Sequence, residues 1–281
     1  MNAPERINGI EPLATIRASS WPSLFDCGHR WYWQNIVGIK NPSSGAAALG
    51  TAVHAGTAAF DAARLIDGAS ISVTDAVDAA RDNLAHPEYE VAWDEDLSPN
   101  EADSFAIKLT TRYCNEIAPI RTYSAVELEC EALDIATEHG VVRVTGTTDR
   151  VRVLEDGRRG ISDIKTGGRA TEKAPDGSRR AVTKGHHLQL GIYTLMAEQA
   201  SGERMEAPAE IIGLQTTKET PCGTGEIADV KTPLLGTEEH PGLIEIAARM
   251  LRDGIFPPNP KSMLCSNKYC PAYAAHCRYH D

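Results

Sequence analysis

The sequence predicts an α/β (α+β) protein built around one mixed sheet. Three observations carry that expectation. Apolar residues recur with helical spacing before residue 120, the period shifts to strict alternation from residue 124, and a helix, a strand and a helix then follow one another. The chain has 281 residues, 42% hydrophobic and 24% charged, and a chain of this size buries roughly three quarters of its unfolded surface. Neither a disulfide nor a metal is needed merely to form a core. No apolar run approaches the ~20 residues of a membrane span. The opening MNAPERINGIEPLATIRAS lacks the basic and apolar regions of a signal peptide, so a cytoplasmic protein without membrane association is expected.

Taken in order, residues 1–16 are polar, contain Pro and Gly, and read as a flexible arm. Residues 17–37 read as a helix with Ser20 as N-cap, Pro22 in the first turn and a buried side formed by Trp21, Phe25, Trp31, Tyr32 and Trp33. A loop over 38–46 leads to an Ala-rich helix over 47–67, whose Leu49, Val53, Phe60 and Ala63 form an apolar stripe. Residues 74–120 read as two or three helices separated by HPEYE and SPNEAD. SAVELECEALDIAT, HGVVRVTGTTDRVRVLE and GISDIKTG read as strands with HG and DG turns between them. The polar stretch 168–184 reads as a mobile loop, 186–201 as a helix, 208–216 as a strand and 238–253 as a helix, after which FPPNP breaks the chain. The expected organisation is an arm (1–16) and one domain (17–281), with a helical part (47–120), a sheet core (121–216) and a cysteine segment (257–281).

Chemistry concentrates in the hairpin GTTDRVRVLEDGRRGISDIKTG. Asp163 and Lys165 are two apart on a strand and point to one face. A three-residue loop Glu155-Asp156-Gly157, with Gly157 in the left-handed position, places Asp149 opposite Asp163 with side chains about 5 Å apart. Two carboxylates so placed repel unless a cation bridges them, and hard oxygen ligands suit Mg²⁺ or Mn²⁺. A lysine beside such a metal orients water and offsets charge on a phosphoryl oxygen, so Asp149, Asp163 and Lys165 fit metal-assisted phosphodiester hydrolysis. The competing reading is a solvated strand face whose Asp–Lys pairs contribute little.

Flanking this hairpin, His54 lies in GTAVH with Gly50 one turn earlier, where it admits close backbone approach. A histidine on an Ala-rich helix is more often a satisfied buried group than a ligand. Gln189 and Tyr193 are four apart on one helical face, either as core or as a pair that positions substrate or attacking water. The net charge of −11 argues against a non-specific nucleic-acid coat. Locally, Arg150–Lys184 carries ten Lys/Arg against five acids, enough for a basic grip.

Seven cysteines without an export signal favour ligands over bridges. Cys265, Cys270 and Cys277 crowd the C-terminus, and Cys27 is the best fourth candidate by context. All-thiolate ligation suits zinc or an iron–sulfur cluster, with His276 or His280 as substitutes for a cysteine, and would clip the two ends of the chain together. Three unliganded thiols are the plain alternative.

Together these residues resemble the RecB-like branch of the PD-(D/E)XK nuclease superfamily, within it the iron–sulfur members: the AddB-type nuclease domain, the CRISPR-adaptation exonucleases and related phage exonucleases. SSWPSLFDCGHRWYW, GTAVH, GTTDRV, SDIKTG, QLGIY and the terminal cysteines match the family's motifs in family order, although the cysteine triplet is more often C-x2-C-x5-C. The resemblance implies a restriction-endonuclease-like core, with His54, Asp149, Asp163 and the Ile164 carbonyl as ligands of Mg²⁺ or Mn²⁺. It implies Lys165 as catalytic lysine, Gln189 and Tyr193 as substrate-positioning groups, and a 4Fe–4S cluster on Cys27, Cys265, Cys270 and Cys277, zinc being the second choice. The expected activity is that of a metal-dependent DNA exonuclease of low sequence specificity on single strands or ends, in recombination, repair or phage DNA processing. No P-loop is present, so any motor is a helicase partner; a recombinase or CRISPR-adaptation partner fits equally. The rivals are a non-catalytic or partner-dependent DNA-processing subunit and a zinc-stabilised protein of unrelated activity.

Overall fold

A six-stranded mixed sheet lies between two apolar layers. The computed structural model describes residues 11–280; most of the arm expected at 1–16 falls outside them, and its last residues are not an arm but the start of β1 (Ala14–Arg17), which pairs parallel with the sheet. The aromatic segment is two helices rather than one, α1 (Trp21–Asp26) and α2 (Gly28–Tyr32), broken where Cys27 is extended at φ −149°. Ser20 precedes α1 without capping it, because its hydroxyl donates to the Arg17 carbonyl and accepts from Trp31 Nε1. A two-residue strand β2 (Ser43–Ser44) leads into α3 (Gly45–Arg64), capped by Ser44. Next come α4 (Val73–Ala85), β3 (Val91–Ala92) and α5 (Pro99–Arg112), the two helices opened by Ser–Asp and Ser–Glu capping boxes.

The long strands β4 (Thr122–Thr137) and β5 (Gly140–Val153) are antiparallel, and β6 (Arg159–Gly167) returns beside β5. The loop Glu155-Asp156-Gly157 is the three-residue turn expected from sequence: Leu154 and Arg158 close it, Gly157 has φ +87°, and Arg150 pairs with Ser162. The stretch expected to be a mobile loop is instead a hairpin, β7 (Thr171–Lys173) and β8 (Arg179–Ala181), around a second Asp-Gly turn. It lies so close to the sheet that a side chain at Gly213 would strike the Ala170 carbonyl at 2.2 Å and one at Gly223 the Arg179 carbonyl at 2.7 Å. The chain ends with α6 (His187–Ser201), β9 (Ala209–Gln215), β10 (Cys222–Ile227), α7 (Thr232–Leu235) and α8 (Leu243–Asp253). β10 has no counterpart in the sequence reading, and Cys222 lies on it.

The sheet order is β1-β5-β6-β9-β10 with β4 on the other edge of β5. One edge of β5 is shared: residues 142–145 pair with β1 and residues 150–153 with β6. Between them, Gly146–Asp149 has no strand partner on that side, and the sheet forks there. One apolar layer joins α1, α2, α6 and α8 to the sheet around Trp21, Trp31, Leu190 and Ile211. The other joins α3, α4 and α5 around Leu49, Val53, Leu109 and Ile164. Among the described residues, no helix is long and apolar enough to cross a membrane.

Within QLGIY, Gly191 lets α6 meet the chain before α7, since an added Cβ would lie 2.3 Å from the Val230 carbonyl. Backbone cannot yield there as a flexible side chain would, so Gly191→Ala is expected to destabilise the fold by about 1–3 kcal/mol, read from the urea midpoint at unchanged slope.

Candidate active site and cysteine centre

The fork assembles the polar residues. Helix α3 approaches β6 closely because Gly50 has no side chain; a Cβ there would meet Thr166 Oγ1 at 3.1 Å. One turn later His54 reaches the fork. Its Nε2 is 2.8 Å from the Ile164 carbonyl and its Nδ1 is 3.3 Å from Asp149 Oδ2. Asp149 Oδ2 also accepts from the Ile164 N–H at 2.9 Å, so the carboxylate takes the place of a ladder partner where β5 and β6 part. Lys165 Nζ lies 2.8 Å from Asp163 Oδ2, with Asp163 buried and Lys165 partly open.

Glu127 joins this group without having been singled out from the sequence. It presents an oxygen that lies, with ligand atoms of His54 and Asp149, in a cluster whose members are within 4.8 Å of one another. Val126 pairs with Arg150 and Leu128 with Thr148, which sets Glu127 opposite Asp149. Its φ of +47° places a non-glycine residue in the left-handed region within the β4–β5 ladder, a strain that costs about 1–3 kcal/mol and persists only where the surroundings enforce it.

Arg150 is what enforces it. Fully buried, it donates to Asp61 Oδ2 at 2.7 Å, to the Asp149 carbonyl at 2.7 Å and to Glu127 Oε1 at 3.1 Å. Tyr113 donates to the same Asp61 oxygen and meets the Tyr123 hydroxyl. Arg152 is buried as well and pairs with Glu210 and Glu226. The basic grip expected over Arg150–Lys184 is therefore corrected. Its first two arginines are structural counter-charges, and its exposed cations without an ion pair are Arg169, Lys173, Arg179 and Lys184, on or beside the β7–β8 hairpin.

Electrostatics follow from this crowding. Burial disfavours the imidazolium of His54, but the Asp149 charge and hydrogen bond, with Asp163 behind, outweigh it and raise the pKa to about 8. Burial pushes Asp149 up, yet His54, Lys165 and the Ile164 N–H hold it below the ordinary carboxylate range. For Asp163, burial and the Asp149 charge prevail over Lys165 and raise it. An imidazole, carboxylates and a main-chain carbonyl converging in a half-buried fork form a donor set that fits Mn²⁺ or Mg²⁺.

On the other side of the fork, Gln189 Nε2 donates to the Tyr193 hydroxyl at 3.1 Å, and both residues are buried. Tyr193 packs on Gly146, where a Cβ would meet its ring at 3.1 Å, and faces a polar pocket with Arg17, Ser19, Thr145 and Thr147. It is thus both a core ring and a wall of that pocket.

Cys27, Cys265, Cys270 and Cys277 line one pocket between the two ends of the chain. Gly28 lies against Phe256 and Pro257, the Asn259 N–H points at Cys27 Sγ at 3.4 Å, and Ser262 Oγ donates to Asp26 at 2.6 Å. The His276 ring stacks on Trp33 and the His280 ring packs on Tyr273. Cys114, Cys130 and Cys222 lie elsewhere, with Cys222 donating to Glu116 at 3.2 Å. One buried polar atom of this pocket has no hydrogen-bond partner, Arg30 Nη1. Four thiols and a buried guanidinium with one unanswered amino group fit an anionic metal–thiolate group.

The model of the PD-(D/E)XK nuclease superfamily matches residues 18–278, and the chain belongs to that superfamily. Among solved structures, it is similar to a Eubacterium rectale protein provisionally described as an exonuclease, at 12% identity and a TM-score of 0.55, over 88% of this chain and 84% of that one. That likeness speaks for the fold. SSO0001 is 13% identical over 91% of this chain and 95% of its own, but with a TM-score of 0.36 it carries no argument. No curated protein matches the sequence.

In metal-free protein the His54 pKa is raised above the unfolded value near 6.5. Its stabilising contribution is therefore complete below pH 6.5 and is lost as the pH rises through about 8. In the presence of a chelator, wild type is expected to lose about 2 kcal/mol across that window relative to His54→Asn, measured by urea unfolding at each end. Parallel slopes for the two proteins would contradict the assignment.

Proposed function

We propose that this protein is a divalent-metal-dependent deoxyribonuclease acting as an exonuclease on single-stranded DNA or DNA ends with little sequence specificity. The observation that carries the reading is the convergence of His54, Glu127, Asp149 and the Ile164 carbonyl at the fork, with the Asp163–Lys165 pair beside them, in a chain of the nuclease superfamily. His54, Glu127, Asp149, Asp163 and the Ile164 carbonyl would hold Mg²⁺ or Mn²⁺, which supplies Lewis acidity toward water and the phosphoryl oxygen. The residues of the chain do the rest. Lys165 stands at the mouth of the fork, where it would orient the attacking water and offset charge developing on the phosphoryl oxygens. Gln189 and Tyr193 wall the opposite side and position the backbone of the strand. Arg169, Lys173, Arg179 and Lys184 offer phosphates a grip that the −11 net charge of the whole chain does not.

The same reading places a 4Fe–4S cluster, or zinc as the second choice, on Cys27, Cys265, Cys270 and Cys277 in a structural role, and makes residues 17–281 one functional unit. Recombination, repair, phage DNA processing and CRISPR adaptation are the settings such an enzyme serves, with a helicase or recombinase supplying what the chain does not.

The test is degradation of end-labelled linear single-stranded DNA beside a closed circle, with Mn²⁺ or EDTA, by anaerobically prepared protein. Wild type is expected to shorten only the linear strand and only with metal. Lys165→Ala is expected to be about 10²–10⁴-fold slower, and Asp163→Ala inactive. Cutting of the circle would make the enzyme an endonuclease. Intact DNA with wild type at full metal content would replace a stand-alone enzyme with a partner-dependent subunit.

A further inference from the structure

The cysteine pocket contains a cation that the nuclease motifs leave unexplained. Arg30 stands on α2, one turn after Cys27, and is 4% exposed. Its Nη2 donates to Asp26 at 3.0 Å, and Asp26 is itself held by Ser262 of the C-terminal tail at 2.6 Å. The other amino group, Nη1, is buried and meets no acceptor. Neighbouring polar groups of the pocket are engaged elsewhere: His29 Nε2 is 3.1 Å from Trp33 Nε1, and Asn259 Oδ1 accepts from the Lys261 N–H. A folded chain leaves a buried guanidinium donor unanswered only at a cost in stability, and a single carboxylate at its other amino group does not remove that cost.

What the pocket offers in compensation is sulfur, on four cysteines. Four thiolates around a zinc ion, and four thiolates around an oxidised 4Fe–4S core, each carry a net charge of roughly −2. Either group presents sulfur acceptors to donors in its wall, and hydrogen bonds to those sulfurs tune a cluster's potential and hold its ligands in place. We propose that Arg30 is the counter-charge of this centre, its free Nη1 donating to a metal-bound sulfur while Nη2, through Asp26 and Ser262, ties the same guanidinium to the C-terminal segment that brings Cys265, Cys270 and Cys277. The guanidinium links α2, the metal–thiolate group and the tail. This inference rests on the cysteine-centre reading above and is independent of which residues cut DNA.

The experiment uses full-length wild type, Arg30→Met and Arg30→Lys, purified anaerobically, with iron, sulfide and zinc measured per chain. Wild type is expected to be loaded. Arg30→Met is expected to release its metal to a chelator at least tenfold faster, and Arg30→Lys, which keeps the charge, at an intermediate rate. If the metal is iron, the midpoint potential of Arg30→Met is expected to fall by at least the 59 mV that a tenfold change means for one electron, a readout that a purely packing role would not move. If the metal is zinc, chelator release and its rescue by lysine decide the matter. Should Arg30→Met fail to fold, Arg30→Gln carries the same expectation, since it loses the charge and keeps a donor. Equal release rates, with equal potentials where iron is present, in loaded wild type and uncharged variants would overturn the proposal alone. Wild type without metal on these cysteines would overturn the cysteine centre and the proposal together.

Discussion

The buried ion pair between Asp61 and Arg150 is the constraint on which the candidate site depends. Both side chains are essentially inaccessible to solvent, and removal of one partner from such a pair costs about 3–5 kcal/mol because the other charge is left uncompensated. Its position matters as much as its strength. Asp61 lies seven residues, two helical turns, after His54 on α3. Arg150 is the immediate neighbour of Asp149 on β5 and therefore points to the opposite face. The pair thus fastens the helix that carries the imidazole to the strand that carries the carboxylate, one residue away from the chemistry, and the same guanidinium holds the Asp149 carbonyl and the strained Glu127. A salt bridge on a solvated face could not do this, since it would be too weak and too mobile to fix three side chains.

The fork in the sheet is the second requirement. In an unbroken ladder, the Ile164 N–H and carbonyl would be satisfied by a neighbouring strand, and no main-chain oxygen would be free to face His54. Because β5 gives its first half to β1 and its second half to β6, the intervening Gly146–Asp149 stretch leaves main-chain groups for side chains to answer. Asp149 answers the N–H and His54 the carbonyl. The parallel pairing of β6 with β9 keeps β6 straight beyond the parting, so Lys165 emerges on the same face as Asp163.

Much of this was legible in the sequence. The Asp-Gly turn set the register of β5 and β6 because glycine alone takes the required left-handed conformation cheaply, and the register brought Asp149 alongside the DxK strand. Gly50 announced the close approach of α3. What escaped has physical reasons. Glu127 belongs to an alternating Val-Glu-Leu-Glu-Cys-Glu run in which three glutamates look alike; only the pairing of β4 with β5 and the local irregularity distinguish it. Arg150 and Arg152 read as part of a basic stretch because charge counting cannot see that Asp61, Glu210 and Glu226 wait for them from three other elements. The β7–β8 hairpin is polar in sequence because it is fastened by backbone against Gly213, Gly223 and Gly225, a contact that needs no apolar side chains and leaves no hydrophobic period. β10 pairs at the sheet edge with two glycines among six residues, too little apolar content to register as a strand.

The two centres are mechanically joined. Ala18 and Tyr193 close on Gly146 from two sides, the former 3.3 Å from where a Cβ would stand, and Gly146 begins the forked stretch that ends at Asp149. Ala18 opens the segment that continues through α1 to Cys27, with Trp21 and Trp31 fully buried in the same core as Tyr193. The C-terminal tail in turn presses Phe256 on Trp31 and Tyr32 before it reaches its cysteines. A clip that held Cys27 to Cys265, Cys270 and Cys277 would therefore also hold the aromatic wedge behind Gly146, where the forked stretch begins. Such a closed loop would span nearly the whole chain, so the entropy it removed from the unfolded state would be large, although it grows only logarithmically with length. Stability of the aromatic wedge and geometry of the fork thus draw on the same contacts, and through them a metal centre on these cysteines would bear on where Asp149 sits.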